Sequence, residues 1–155
     1  MSATGRATLR PEDQFHIGIV VDNLDAALAQ LTELFGYRWC DQVAAPSPVA
    51  LPTGDTVVDF RFAYSMDTPR LEVIQAIPGT LWTPVAASGL HHLGYWSDDV
   101  DGDSAVLAQS GLAREAAGVQ PDGSATWAYH RGASGPRIEL VSTRLRPLME
   151  RWWAV

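Results

Sequence analysis

The chain repeats itself, and that duplication restricts the folds open to it more than any other feature. Residues Phe15 to Asp25 read FHIGIVVDNLD, and residues Leu90 to Asp101 read LHHLGYWSDDVD. In both, a His is followed two places on by Gly: His16 and Gly18, then His92 and Gly94. In both, Asp falls six and nine places after that His, at Asp22 and Asp25 and at Asp98 and Asp101. Further on, Phe62-Ala63-Tyr64 with Pro69-Arg70-Leu71-Glu72 is answered by Trp127-Ala128-Tyr129 with Pro136-Arg137-Ile138-Glu139. Each half therefore begins near one His and ends near one Glu. Two imidazoles and two carboxylates in equivalent places are a donor set suited to a divalent metal ion.

Local patterns give each half a β-α-β-β-β order. Gln14 to Val21 is apolar and β-branched with little alternation, as in a strand covered on both faces. Asp22 or Asn23 can cap the helix that follows. Leu24, Leu28, Leu31, Leu34 and Phe35 form its apolar stripe, and Gly36 stops it. Tyr37 to Val43 reads as a second strand. Ala44 to Asp55 carries Pro46, Pro48, Pro52 and Gly54, which predicts a surface loop or a flap over a site. Val57 to Tyr64 and Arg70 to Ala76 read as two further strands. The second copy predicts a strand over His91 to Ser97, a helix from Val100 to Ser110 and a stop at Gly111. Leu112 to Val119, Thr126 to His130 and Arg137 to Ser142 are its remaining strands. The expectation is one α+β unit over 1–155: module one at about 14–77, a linker at 78–89, module two at 90–143 and a C-terminal helix at 146–155. Residues 1–13 read as frayed or extended.

Parity decides which side chains can meet, because alternate residues of a strand face opposite ways. His16 points away from Ile17 and Ile19. His92 points away from His91 and Leu93, Glu72 from Leu71 and Val73, and Glu139 from Ile138 and Leu140. With each helix packed outside its sheet, His16, Glu72, His92 and Glu139 line the inner faces. A lone strand His or Glu is ordinarily a hydrogen-bonded core residue. Here, however, a Glu sits within each apolar run, LEVIQ and IELVS, where burial is costly unless the charge is neutralised. Most other repeat positions have diverged, yet both His and both Glu remain.

Composition closes several alternatives. A net charge of −7 argues against nucleic acid, which needs clustered cations. No apolar run approaches a membrane span, and no signal-peptide core is read at the N-terminus. Cys40 is the one cysteine, so no internal disulfide can form; a small buried thiol and a cytoplasmic location are expected.

The motifs HIGIVVDNLD, PRLEVI, HHLGYWSDDVD and PRIELV, in this order and paired spacing, resemble the vicinal oxygen chelate superfamily. That group includes glyoxalase, methylmalonyl-CoA epimerase, extradiol dioxygenase and bleomycin-resistance proteins. The resemblance runs from about Phe15 to Thr143. It implies paired βαβββ modules forming a half-open barrel around one divalent ion (Ni, Co, Zn, Mn or Fe), and a homodimer. Carried over by position, the ligands are His16, Glu72, His92 and Glu139. The His-Glu-His-Glu set is similar to that of bacterial glyoxalase I. The HHLGYWSDD block and the chain length are closer to methylmalonyl-CoA epimerases, which usually carry Gln where this chain has Glu72.

Such a site suits chemistry beside a carbonyl, with Glu139 or Glu72 as the base that moves the proton. Isomerisation, epimerisation or elimination is the leading expectation. The alternatives are a non-haem iron dioxygenase and a metal-free protein that binds an apolar, antibiotic-type small molecule. Phe60 or Phe62, Tyr64, Trp96, Trp127 and Tyr129 are the expected substrate lining, with Trp96 foremost, and Arg137 is a candidate anchor for a substrate carboxylate. They suggest a small molecule with vicinal oxygens and an apolar or aromatic body. His91 faces away from the inner surface and is expected to bond backbone or a carboxylate. His130 is expected at an exposed strand position. Trp152 and Trp153 are expected to pack onto the body or an interface.

Overall fold

The computed structural model describes residues 9–154. Eight strands and three helices follow in the order β1 (Gln14–Val21), α1 (Leu24–Phe35), β2 (Val43–Leu51), β3 (Gly54–Tyr64), β4 (Leu71–Gln75), β5 (Leu90–Ser97), α2 (Val100–Gln109), β6 (Ala113–Val119), β7 (Ala125–Arg131), β8 (Arg137–Ser142) and α3 (Arg146–Trp153). Each half is thus a βαβββ module in an α+β fold. The strands close into a barrel in the order β1-β4-β3-β2-β6-β7-β8-β5. Closure is uneven: Val49↔Gly118 and Ala50↔Ala117 are the register pairs joining β2 to β6, whereas β2 and β3 pair along their whole length from Val43↔Phe62 to Leu51↔Gly54. The half-open barrel implied by the resemblance is drawn shut on that side by a short seam.

Each helix packs outside its own module. Leu24 and Leu28 bury against Ala63 and Val73, and Val100 against Ala117, Ala128 and Leu140. Asn23 caps α1 by accepting from Ala26 N–H at 3.0 Å, and Gly36 ends it with φ 74°. Asp99 caps α2 through Gly102 N–H at 3.0 Å. Replacing Asn23 with Ala leaves that amide unpaired. It is expected to cost about 1 kcal/mol, read as a lower urea midpoint with unchanged slope. The apolar stripe of α1 is shorter than its sequence suggests. Leu34 and Phe35 are 61% and 70% exposed, whereas Leu24 and Leu28 are buried.

Two corrections concern β2. The strand expected over Tyr37 to Val43 is absent up to Gln42, where the isolated bridge Trp39↔Ser65 stands, and Val43 belongs to β2. The proline-rich segment expected as a loop is instead β2 itself. Proline cannot donate to a ladder, so it is confined to strands with a free side. Pro46 and Pro48 pair with Asp59 and Val57 of β3, and they lie ahead of Val49, where contact with β6 begins. Both thus lie where β2 is paired to β3 but not yet to β6, the kind of half-free position where proline is tolerated and discourages unwanted pairing.

The terminal helix α3 docks by its tryptophans. The Arg70 guanidinium sits 3.8 Å from the Trp153 ring centroid, and Trp152 and Trp153 pack with Cys40, Tyr64, Trp96, Val141 and Met149. Cys40 is a buried free thiol whose pKa burial raises. No helix among the described residues is long and apolar enough to cross a membrane.

Candidate metal centre

The repeated His-x-Gly becomes intelligible where the modules meet. β1 and β5 run antiparallel, with His16 opposite Gly94 and Gly18 opposite His92. On their other sides, β4 lies parallel to β1 with Glu72 beside Gly18, and β8 lies parallel to β5 with Glu139 beside Gly94. Each glycine is therefore flanked by the other module's His and its own module's Glu. The imidazoles lie across the bare glycine backbones. A Cβ on Gly18 would fall 1.9 Å from His92 Cε1, and one on Gly94 would fall 2.0 Å from His16 Cε1. Only glycine lets the two rings cross, so each His requires the Gly of the opposite copy.

The four side chains converge on one point. His16 Nε2 and His92 Nε2 stand 3.0 Å apart. Each lies 3.1 Å from Glu72 Oε2 and 3.0 Å from Glu139 Oε2. All four donor atoms fall within 4.8 Å of one another, and all four residues are buried. Adjacent donors around an ion with bonds of about 2.1 Å are separated by about 3 Å in an octahedral shell. The spacing and the mixed imidazole and carboxylate chemistry fit a divalent first-row metal.

Electrostatics favour the same conclusion. Burial opposes charge on His16, but Glu139 and Glu72 outweigh it and lift its pKa from 6.5 to about 9. His92 moves up as well, with burial again opposed by Glu139 and Glu72. Burial pushes Glu72 up, yet hydrogen bonds from His16 and His92 carry it well below the ordinary carboxylate value. Glu139 is lowered too: burial and the neighbouring Glu72 oppose this, and the two imidazoles prevail. The carboxylates thus favour protons on both imidazoles, and a cation bound here would take the place of those protons.

Glu72 and Glu139 open onto a cavity of about 630 Å³ whose walls include Phe60, Phe62, Trp82, Trp127 and, from α3, Met149 and Trp152, while His16 and His92 are buried beside the two carboxylates. Tyr64 pairs with Glu72 across β3 and β4, and Tyr129 with Glu139 across β7 and β8. Burial and the nearby carboxylates raise both phenols well above 10, so they stay protonated. Of the expected lining, Phe60, Phe62, Tyr64, Trp127 and Tyr129 face this cavity. Trp96 does not: it stacks on Phe15 at 3.8 Å between centroids, beneath α3. Arg137 is also turned aside, with its Nε donating to Glu115 Oε2. Sequence reasoning missed Trp82, which sits in the linker and is 1% exposed against the cavity. A loop tryptophan has no periodicity to reveal where it points.

The remaining histidines are both buried. His130 is no exposed residue: its Nε2 meets Ser104 Oγ at 2.6 Å, and its Nδ1 donates to Leu112 O at 2.8 Å, pinning α2 to β7. His91 bonds the backbone of Leu81 and also meets His92 Nδ1 at 2.9 Å, so its ring lies behind that of His92.

The comparisons with known proteins agree with this architecture. Methylmalonyl-CoA epimerase in complex with methylmalonyl-CoA and NH4+ is 21% identical, with a TM-score of 0.58 over 84% of this chain and 93% of that one. A variant of the Streptomyces coelicolor methylmalonyl-CoA epimerase in complex with 2-nitronate-propionyl-CoA is 19% identical, with a TM-score of 0.59 over 87% and 98%. The epimerase from Mycobacterium tuberculosis is 18% identical, with a TM-score of 0.56 over 89% and 92%. At these identities the likeness is one of fold. No curated protein sequence matches the chain significantly. Residues 15–129 match the family described as Glyoxalase/Bleomycin resistance protein/Dioxygenase superfamily, and the match spans most of both modules. The chain belongs to that superfamily.

Proposed function

We propose that this chain is a divalent-metal-dependent enzyme that moves a proton at the carbon next to a carbonyl, giving isomerisation, epimerisation or elimination of a small molecule. The observation that supports it is the convergence of His16, Glu72, His92 and Glu139 on one point, with both carboxylates lining an apolar cavity. These four residues would hold the ion. When bound, the ion acts as a Lewis acid toward neighbouring substrate oxygens and acidifies the adjacent C–H.

The protein's own groups do the rest. Both carboxylates open into the cavity, so Glu139 or Glu72 can accept that proton on a carboxylate oxygen and return it. A carboxylate facing protonated imidazoles is a poor base, and it regains basicity once His16 and His92 give up their protons. Tyr64 and Tyr129 flank the two carboxylates as neutral phenols, and the apolar walls exclude water, which strengthens every polar contact inside. Phe60, Phe62, Trp127 and Trp152 accept a flat, apolar body. Among the described residues, Arg151 is the single basic one lining the cavity. A multiply charged acyl-CoA therefore suits this cavity less than an aromatic or apolar compound with vicinal oxygens.

Protein purified without a metal-affinity column is expected to carry about one ion of Ni, Co, Zn, Mn or Fe per chain by elemental analysis. In D2O, the loaded protein is expected to exchange the α-proton of an aromatic α-hydroxyketone such as benzoin. Glu139→Gln should slow that exchange about 10²- to 10⁴-fold. A folded protein that takes up none of these ions overturns the reading. Oxygen consumption with a catechol and no proton exchange would instead favour an iron oxygenase. Stoichiometric capture of an apolar compound by metal-free protein would favour a binding protein.

A further inference from the structure

The two imidazoles of the cluster are not equivalent, although the repeat makes their positions so. His16 has a buried Nδ1 with no hydrogen-bond partner. The residue before it, Phe15, meets the His16 ring edge-on at 4.5 Å between centroids and offers no polar atom. In the second copy the matching residue is His91, and its Nδ1 stands 2.9 Å from His92 Nδ1.

Neighbouring residues of a regular strand face opposite ways, so His91 should not reach behind His92. A β-bulge makes it possible. Gly18 pairs with His92 but Ile19 pairs with Leu90, which leaves His91 as the extra residue of β5. Bulges re-aim a side chain in this manner, often beside functional sites.

The hydrogen-bond chain fixes the protons. His91 Nε2 lies 2.9 Å from Leu81 O, and a carbonyl oxygen can only accept, so His91 Nε2 carries the hydrogen. In the neutral ring, His91 Nδ1 is then bare and accepts from His92 Nδ1–H. With a hydrogen held at Nδ1, neutral His92 keeps a lone pair free on Nε2, the atom that faces His16, Glu72 and Glu139 and would ligate an ion. Leu81 precedes Trp82, the buried tryptophan on the cavity wall. The linker is itself folded back, with Ile77 N–H donating to Trp82 O at 2.9 Å and Thr80 Oγ1 to Ile77 O at 2.7 Å.

We propose that His91 is a positioning residue that locks His92 in its Nδ1–H tautomer and ties this ligand to the cavity wall at Leu81 and Trp82. The proposal rests on the reading of the cluster as a metal centre. Outer partners of this type orient a ligating imidazole, and their loss weakens metal binding.

Long-range ¹⁵N–¹H NMR of the wild-type protein tests the tautomers directly. In both metal-free and zinc-loaded protein, His91 is expected to show Nε2–H and a bare Nδ1, with His92 protonated at Nδ1. A His91 protonated at Nδ1 alone overturns the proposal. His91→Phe copies the residue of the first repeat and is expected to lower zinc affinity about 10- to 100-fold in chelator competition. His91→Gln, whose side-chain carbonyl can accept from His92 Nδ1, should recover part of that loss. A packing role would lower the melting temperature without this difference between the two variants. Zinc affinity within about twofold of wild type in a folded His91→Phe protein also overturns the proposal. If His91→Phe does not fold, the wild-type tautomers decide. Should the wild type bind no zinc, the metal reading fails, while the metal-free spectrum still reports on His91.

Discussion

Alanine at Gly94 is expected to abolish the metal centre and to cost about 3 kcal/mol of stability or more. The added Cβ would stand 2.0 Å from His16 Cε1, far inside contact distance. The ring cannot swing away, because it is buried among Phe15, Tyr64 and His92. Gly94 cannot retreat either, since β5 is paired on both sides, to β1 and to β8. Either His16 leaves the cluster or the β1–β5 junction separates. Gly18→Ala should behave alike through His92, where the approach is 1.9 Å. Gly36 is a fair control: it has φ 74° but nothing within 4 Å of an added Cβ, so alanine there should cost only about 1 kcal/mol. Urea denaturation and metal content of the purified variants check the contrast. Normal metal content in Gly94→Ala would contradict the packing described.

The second large effect is a pH dependence that reverses between the metal-free and the loaded protein. In the metal-free protein His16 rises from 6.5 to about 9. A raised pKa means that its contribution to stability is fully present below pH 6.5 and is lost as pH climbs through about 9. Glu72 and Glu139 are lowered from 4.5, so their contribution is present above that value and is lost as pH falls. The metal-free protein should be most stable between these limits, at about pH 4.5 to 6.5. An ion needs the deprotonated imidazole, and below pH 9 it competes with the His16 proton. Apparent affinity should therefore rise about tenfold per pH unit well below that value and level off near it, making it roughly fiftyfold stronger at pH 9 than at pH 7. Thermal melts with and without zinc at pH 6, 7, 8 and 9 check this. The gap in melting temperature should widen with pH; a constant or narrowing gap would contradict the linkage.

Much of this arrangement is legible in the sequence because duplication and parity are both discrete. Either a residue faces inward or it does not, and Glu72 and Ile74 do while Val73 turns to α1. The same rule puts Glu139 inside and Leu140 under α2. Where one residue is inserted the rule fails, as at His91, since a bulge leaves no mark in a single sequence. Sequence pattern also misplaces β2, where prolines read as a loop although a strand paired on one side only tolerates them. Trp96 shares parity with His92 and so was expected in the cavity. The terminal helix roofs that part of the inner face, and no strand pattern announces where a helix beyond the last strand will settle. Arg137 was expected to anchor substrate, but its partner Glu115 comes from a weakly patterned strand whose register only the fold defines.

None of the contacts that assemble the donor cluster is made by a hairpin. β1 joins β4 and β5 joins β8 in parallel, and β1 meets β5 across the two copies. Either copy by itself owns half a coordination shell, one nitrogen and one oxygen donor. An ion seated there would act as a staple between the two copies, its grip exerted on topology as much as on chemistry.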